Sequence, residues 1–194
     1  MMLHREDLFT LEQYHTERPA FKQKVLQHKV HRQLALGPNA TLYFEDRTTI
    51  QYQIQEMLRV ERIFEAEAIQ EELDAYNPLI PDGNNWKATF MLEYDDIDER
   101  RIALEKLVGI EDQVWMQISG HERVYAIADE DLERSKESKT SAVHFMRFQL
   151  DAAMVANALG GTPISAGVSH PEMTIETGTL GPELSASLLA DLKA

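Results

Sequence analysis

TTIQYQIQEMLRVERIFEAEAIQEELD, residues 48–74, is the stretch on which the reading of this chain turns. Taken at steps of three and four, Ile50, Ile54, Met57, Glu61, Phe64 and Ala68 fall on one helical face, with Glu65 one turn after Glu61. A single long helix is predicted, capped at its amino terminus by Asp46. Its apolar stripe carries glutamate where a plain core helix carries leucine. A carboxylate turned toward a core must be paired, protonated or bound to a cation, because leaving it bare is costly. The stretch therefore predicts a polar site inside the protein.

Working outward, Ala40–Glu45 reads as a strand of β-forming residues. Before it, the capping box Thr10-Leu11-Glu12-Gln13 opens a short helix that Arg18-Pro19 interrupts. A second helix runs from Pro19 to Leu36 and stops at Gly37-Pro38, with Phe21, Val25 and His28 on one face and Arg32 a turn on. Beyond the long helix, Asn77–Asn85 is a turn-forming loop, Lys87–Tyr94 a strand and Asp98–Val108 a charged helix. Val114–Ser119 and Arg123–Ala128 read as a hairpin around Gly120-His121. Asp129–Lys139 reads as an exposed charged connection.

In the strand Ala142–Leu150, His144 shares a face with Met146, Phe148 and Leu150, which reads more simply as a hydrogen-bonded core histidine than as a ligand or base. Asp151 caps a helix ending at Gly160-Gly161, Ile164–Ser169 and Met173–Thr177 form a hairpin, and Pro182 starts a last helix through Leu192. Helices first and hairpin-connected strands after predict an α+β fold: two long N-terminal helices packed on a mostly antiparallel sheet, with a short C-terminal helix and hairpin region. The 194 residues fit one domain, with 151–194 as a candidate C-terminal subdomain.

A net charge of −14 argues against a nucleic-acid role, which draws on clustered lysine and arginine. The absence of cysteine removes disulfides, zinc thiolates and thiol catalysis. No apolar run is long enough to span a bilayer, and Met1–Asp7 is too polar for a signal peptide, so a cytoplasmic protein with no membrane partner is expected.

The motifs of common chemistry are missing: there is no phosphate-binding GxxxxGK loop, GxGxxG, HExxH or GxSxG. Two constellations remain. If the two long helices pack antiparallel, His28 and Arg32 can converge with Glu61 and Glu65, as a buried ion pair of Arg32 or His28 against Glu61 or as a carboxylate and imidazole site suited to iron, manganese or zinc; otherwise Glu61 or Glu65 reaches solvent along the helix edge. Alternatively, Glu56 or Glu61 serves as a general base while Arg47 or Arg59 holds an anionic substrate. The glutamines and arginines of the same helix also fit a partner-binding surface.

Leu36-Gly-Pro-Asn39, Phe44-Glu-Asp-Arg47, Tyr52–Arg59, Glu61–Glu65 and Glu72–Gly83, with Ala126–Leu132 and Thr140–Phe145, resemble the bacterial family of unknown function DUF3501 over nearly the whole chain. The shared motif residues include Glu45, Asp46, Arg47, Gln55, Glu56, Arg59, Glu61 and the loop up to Trp86. The resemblance brings no activity with it. It implies a redox or peroxide-defence setting, as an accessory or metal-binding protein beside rubrerythrin-like and iron–sulfur oxidoreductase proteins.

Overall fold

The computed structural model describes residues 2–132, 134–136 and 138–193. The fold is α+β, with six α-helices and two antiparallel sheets among the described residues. Alternation builds the first sheet: Ala40, Leu42 and Phe44 of β2 (Ala40–Glu45) are buried, as are Trp86, Ala88, Phe90 and Leu92 of β3 (Asn85–Leu92) and His144, Met146 and Phe148 of β7 (Val143–Gln149). With β1 (Gln33–Ala35) and β6 (Ile127–Ala128) the order is β1-β2-β3-β7-β6. The second sheet, β5-β4-β8-β9, comprises β4 (Val114–Ile118), β5 (Val124–Tyr125), β8 (Ile164–His170) and β9 (Met173–Thr179).

Both sheets feed one core, where Leu42, Phe90 and Phe148 cluster with Met116, Ala166 and Val168. Helices α4 (Ile97–Lys106), α5 (Ala152–Leu159) and α6 (Pro182–Leu189) close it with Leu104, Val155 and Leu188, so the segment after Asp151 shares this core. The strand expected over Arg123–Ala128 is divided between the sheets. Val124–Tyr125 pairs with β4, Ile127–Ala128 pairs with β7, and Ala126 is buried at the crossing. Gly167 is required in β8 because a Cβ there would stand 2.2 Å from the Ile175 carbonyl oxygen and 2.4 Å from the Trp115 ring.

The helices expected before the sheet are rearranged. The break at Arg18-Pro19 does not occur, since α1 runs from Leu11 to Val30 through Pro19. Proline removes one hydrogen bond there, but packing holds the turns on both sides. Tyr14 and Arg18 bond Glu56 of the next helix, and Phe21 packs beside Phe9, Tyr14 and Tyr52. The helix also ends before Leu36, because residues 33–35 pair with β2.

The long helix over residues 48–74 is instead two, α2 (Arg47–Glu61) and α3 (Ala66–Tyr76). Arg62 adopts the left-handed conformation at φ +57°, and the Arg62 and Ile63 amides both bond the Leu58 carbonyl. This is a helix stop of the kind usually marked by glycine. Ile50, Ile54 and Leu58 of α2, Ile69 and Leu73 of α3, Leu3 and Ile80 form a second, smaller core. Asp46 does cap α2, accepting from the Thr48 and Thr49 amides at 2.9 Å each.

Candidate functional site

The residues of β2, β3 and β7 that alternate with the core positions face α1–α3. Register places Glu45, Lys87 and Arg147 in one transverse row, Tyr43, Thr89 and Phe145 in the next, and Thr41, Met91 and Val143 beyond. The helices do not close down on this face. Between them lies a cavity of about 540 Å³, walled by Tyr43, Met91, Val143 and Phe145 from the sheet and Ile50 and Leu79 from the helical layer. A second chamber of about 610 Å³ adjoins it at Tyr76, Leu79 and Phe145.

Each chamber contains a distinctive charged group. In the first, Glu45 leaves the end of β2 and its two carboxylate oxygens accept from the Thr49 hydroxyl at 2.5 Å and the Thr89 hydroxyl at 2.7 Å. Two neutral donors hold it in place without neutralising it. In the second chamber, Arg147 is committed to Glu130 through contacts of 2.8 and 2.6 Å, and Arg134 to Asp131 through 2.6 and 2.7 Å. Lys87 is half-buried and makes no ion pair among the described residues. Burial, and then the Arg147 charge, hold its amine below the ordinary lysine range, partly opposed by Glu130 and Asp82. Glu72 of α3 lines the same chamber, and burial followed by Glu61 and Glu71 pushes its carboxyl up.

A separate polar cluster lies inside the protein. His144 is wholly buried, as expected of a hydrogen-bonded core histidine, with Nδ1 at 2.6 Å from Asp129 Oδ2 and Nε2 at 2.9 Å from Thr140 Oγ1 and 3.1 Å from the Ser141 carbonyl. Thr140 donates to Glu111 at 3.1 Å, and Ser135 also donates to Glu111. Asp129, at φ +51°, accepts from the Phe145 amide as well. The order Asp129, His144, Thr140 resembles a catalytic relay, but Thr140 is 1% exposed and His144 0%, so substrate has no approach to the hydroxyl. The cluster ties the run after Asp129 to β7. Most of the run is exposed, as expected, and the cluster anchors it through Asp129 and Ser135; Glu133 and Glu137 lie outside the described residues.

The residues singled out from sequence are placed as follows. Glu56 accepts from Tyr14 at 2.7 Å, from Arg18 at 2.7 and 2.9 Å, and from Arg59 at 3.1 Å; chiefly the Arg18 contact holds its carboxyl down to about 2. It is a clamp between α1 and α2 and a poor proton acceptor at neutral pH. Arg47 pairs with Asp7 at 2.6 Å. Glu61 ends α2 and Glu65 precedes α3, both exposed, because the helix break turns them to solvent. His28 lies elsewhere, with Nε2 at 2.5 Å from Asp46.

Arg32 meets Asp191 at 2.6 Å, bonds the carbonyls of Phe44, Glu45 and Ser187, and lies 3.5 Å from Asp46. Burial pushes the Asp191 carboxyl up to about 6 against the pull of Arg32. His28, Glu61 and Glu65 are thus not brought together. Among the described residues no three His, Asp or Glu side chains are gathered to hold a metal ion.

Sequence reasoning passed over Lys87 and Thr89 and gave Glu45 no role. The available signal was their parity: each alternates with buried positions of its strand.

A family model described as a protein of unknown function, DUF3501, matches residues 2–192. A crystal structure of a novel protein of unknown function from Burkholderia pseudomallei K96243 is similar at a TM-score of 0.94 and 50% identity, over 100% of each chain. No curated protein matches. No helix is long and apolar enough to cross a membrane among the described residues.

Proposed function

This chain belongs to the DUF3501 family of proteins of unknown function, and from that premise we propose that it is a cytoplasmic small-molecule-binding protein whose ligand lies between α1–α3 and the first sheet. The observation that carries the reading is Glu45, a carboxylate fixed by two threonine hydroxyls at the side of an apolar chamber. Ligand sites are commonly concave, about 300–1,000 Å³ in volume, apolar in their walls and furnished with a few convergent polar groups. The first chamber has that size and that make-up. Its chemistry fits a ligand with an aromatic or aliphatic body and one hydroxyl or amine that donates to Glu45.

Anilinonaphthalene sulfonate, which fluoresces on entering apolar cavities, tests the reading in the native protein. Saturable binding at one site per chain that is lost in Met91→Trp, where the larger ring fills the chamber, is the expected result. Equal binding by that variant contradicts it.

The reading as a metal-binding accessory of rubrerythrin-like or iron–sulfur redox proteins draws on the family resemblance alone. Elemental analysis of the natively purified protein tests it. Near-stoichiometric iron, manganese or zinc supports that reading, and metal-free protein removes it.

A further inference from the structure

The second chamber holds the least expected amine of the molecule. Lys87 stands on β3, the central strand of the first sheet, so its backbone is fixed by pairing on both sides. Its neighbours in the row, Glu45 and Arg147, are already engaged by Thr49 and Thr89 and by Glu130 respectively. Lys87 is thus left facing a cavity of about 610 Å³, beside a guanidinium and with no ion pair among the described residues. Desolvation and an adjacent cation are two arrangements that raise the neutral, nucleophilic fraction of a lysine amine. Those two causes lower the titration range of the group, with Glu130 and Asp82 opposing them. Glu72, on the helical wall of the same chamber, has the opposite bias and keeps its proton to higher pH.

We propose that Lys87 condenses with the carbonyl group of a small aldehyde or ketone bound in this groove, forming an imine. The inference rests on the small-molecule reading of the groove and names the ligand class. In the first step the Nζ lone pair forms the C–N bond while the carbonyl π bond opens, and the oxygen takes up a proton from solvent water. The carbinolamine nitrogen gives one proton to the hydroxide left by that transfer. The hydroxyl then leaves as water with a proton drawn from solvent while the nitrogen lone pair closes the C=N bond, and the iminium nitrogen returns its proton to the hydroxide so formed. The balance is amine plus carbonyl giving imine plus water, with no oxidant or reductant. Phe145 and Leu79 give the carbonyl compound's body an apolar wall.

The chain has eight lysines, so the other seven serve as internal controls. The native protein is treated with benzaldehyde and cyanoborohydride at neutral pH, and the secondary amines are located by peptide mass spectrometry. Binding of benzyl alcohol, which has the same shape and no carbonyl, is followed in parallel by ligand-observed NMR. Labelling of Lys87 about tenfold faster than the mean of the other lysines is expected, since the cavity holds the aldehyde against the amine. That labelling should saturate with aldehyde and be suppressed by benzyl alcohol. Lys87→Met should lose the fast adduct while still binding benzyl alcohol. Saturable benzyl alcohol binding with Lys87 labelled no faster than the exposed lysines overturns the imine and leaves the groove reading standing. Absence of both overturns the two together.

Discussion

The two faces of the first sheet are made by the same strands and end in opposite states. On β3, Trp86, Ala88, Phe90 and Leu92 are at most 3% exposed, while Lys87, Thr89 and Met91 between them are only partly covered. The inward set meets a second sheet whose own alternating residues interdigitate with it. The outward set meets helices that have spent their apolar stripes on one another, Ile50, Ile54 and Leu58 against Ile69 and Leu73. A layer with its own core can stand over a sheet without filling the space beneath it. Alternation therefore decides which face is packed, and the neighbour's allegiance decides whether the other face closes.

The sharpest way to break the comparison is to truncate adjacent residues of β3. Phe90→Ala should cost about 4 kcal/mol of unfolding free energy, by lost transfer energy and a cavity. Met91→Ala, one residue on and on the open face, should cost less than about 1 kcal/mol. Urea denaturation measures both, and equal losses would mean the outer face is packed after all.

A second contrast is between volume and charge. The sheet core depends on packing, whereas α1 is clamped to α2 through Glu56. The Glu56 carboxyl is held down to about 2, below its unfolded value of 4.5, so its stabilisation is fully present above about pH 4.5 and is lost as pH falls toward 2. Glu56→Gln should lower stability at neutral pH by about 2 kcal/mol and flatten the acid limb of a stability profile between those limits. In the unaltered protein, amide exchange should show α1 and α2 loosening in acid before β3 does.

The smallest effect on stability and the largest on binding should come from Glu45→Gln. The amide keeps an acceptor for Thr49 or Thr89, so stability should change by less than about 1 kcal/mol. Affinity for a ligand that donates to the carboxylate should fall about tenfold, the equivalent of about 1.4 kcal/mol, measurable by calorimetric titration with benzylamine. Unchanged affinity would remove Glu45 from the site.

How much of this could be read in the sequence follows the same physics. Strands β2, β3, β7 and β8 were legible because two-residue alternation survives whatever packs on the far side. The caps at Thr10, Asp46 and Asp151 were legible because they are local hydrogen bonds. The stop at Arg62 was not, since no glycine or proline marks it and the apolar rhythm carries on through Phe64 and Ala68. That one unseen turn moved Glu61 from an inferred core position to solvent and dissolved the site built on it. The true neighbours, Glu45 with Thr49 and Thr89, are joined partly by strand register over 44 residues, which local patterning does not encode. The continuity of α1 through Pro19 likewise depends on contacts with Glu56 and Tyr52 from another helix.

The central claim is that the outer face of the first sheet is an open binding surface while the inner face is closed. It is tested most directly by methyl chemical-shift mapping of the labelled protein titrated with benzyl alcohol. The account predicts saturable shifts among the methyls that line the two chambers, Ile50, Met57, Leu79, Met91 and Val143, with Leu42, Met116 and Val168 of the sheet core unmoved. Shifts that spread through the sheet-core methyls, or that fail to saturate at any outer-face methyl, would contradict it.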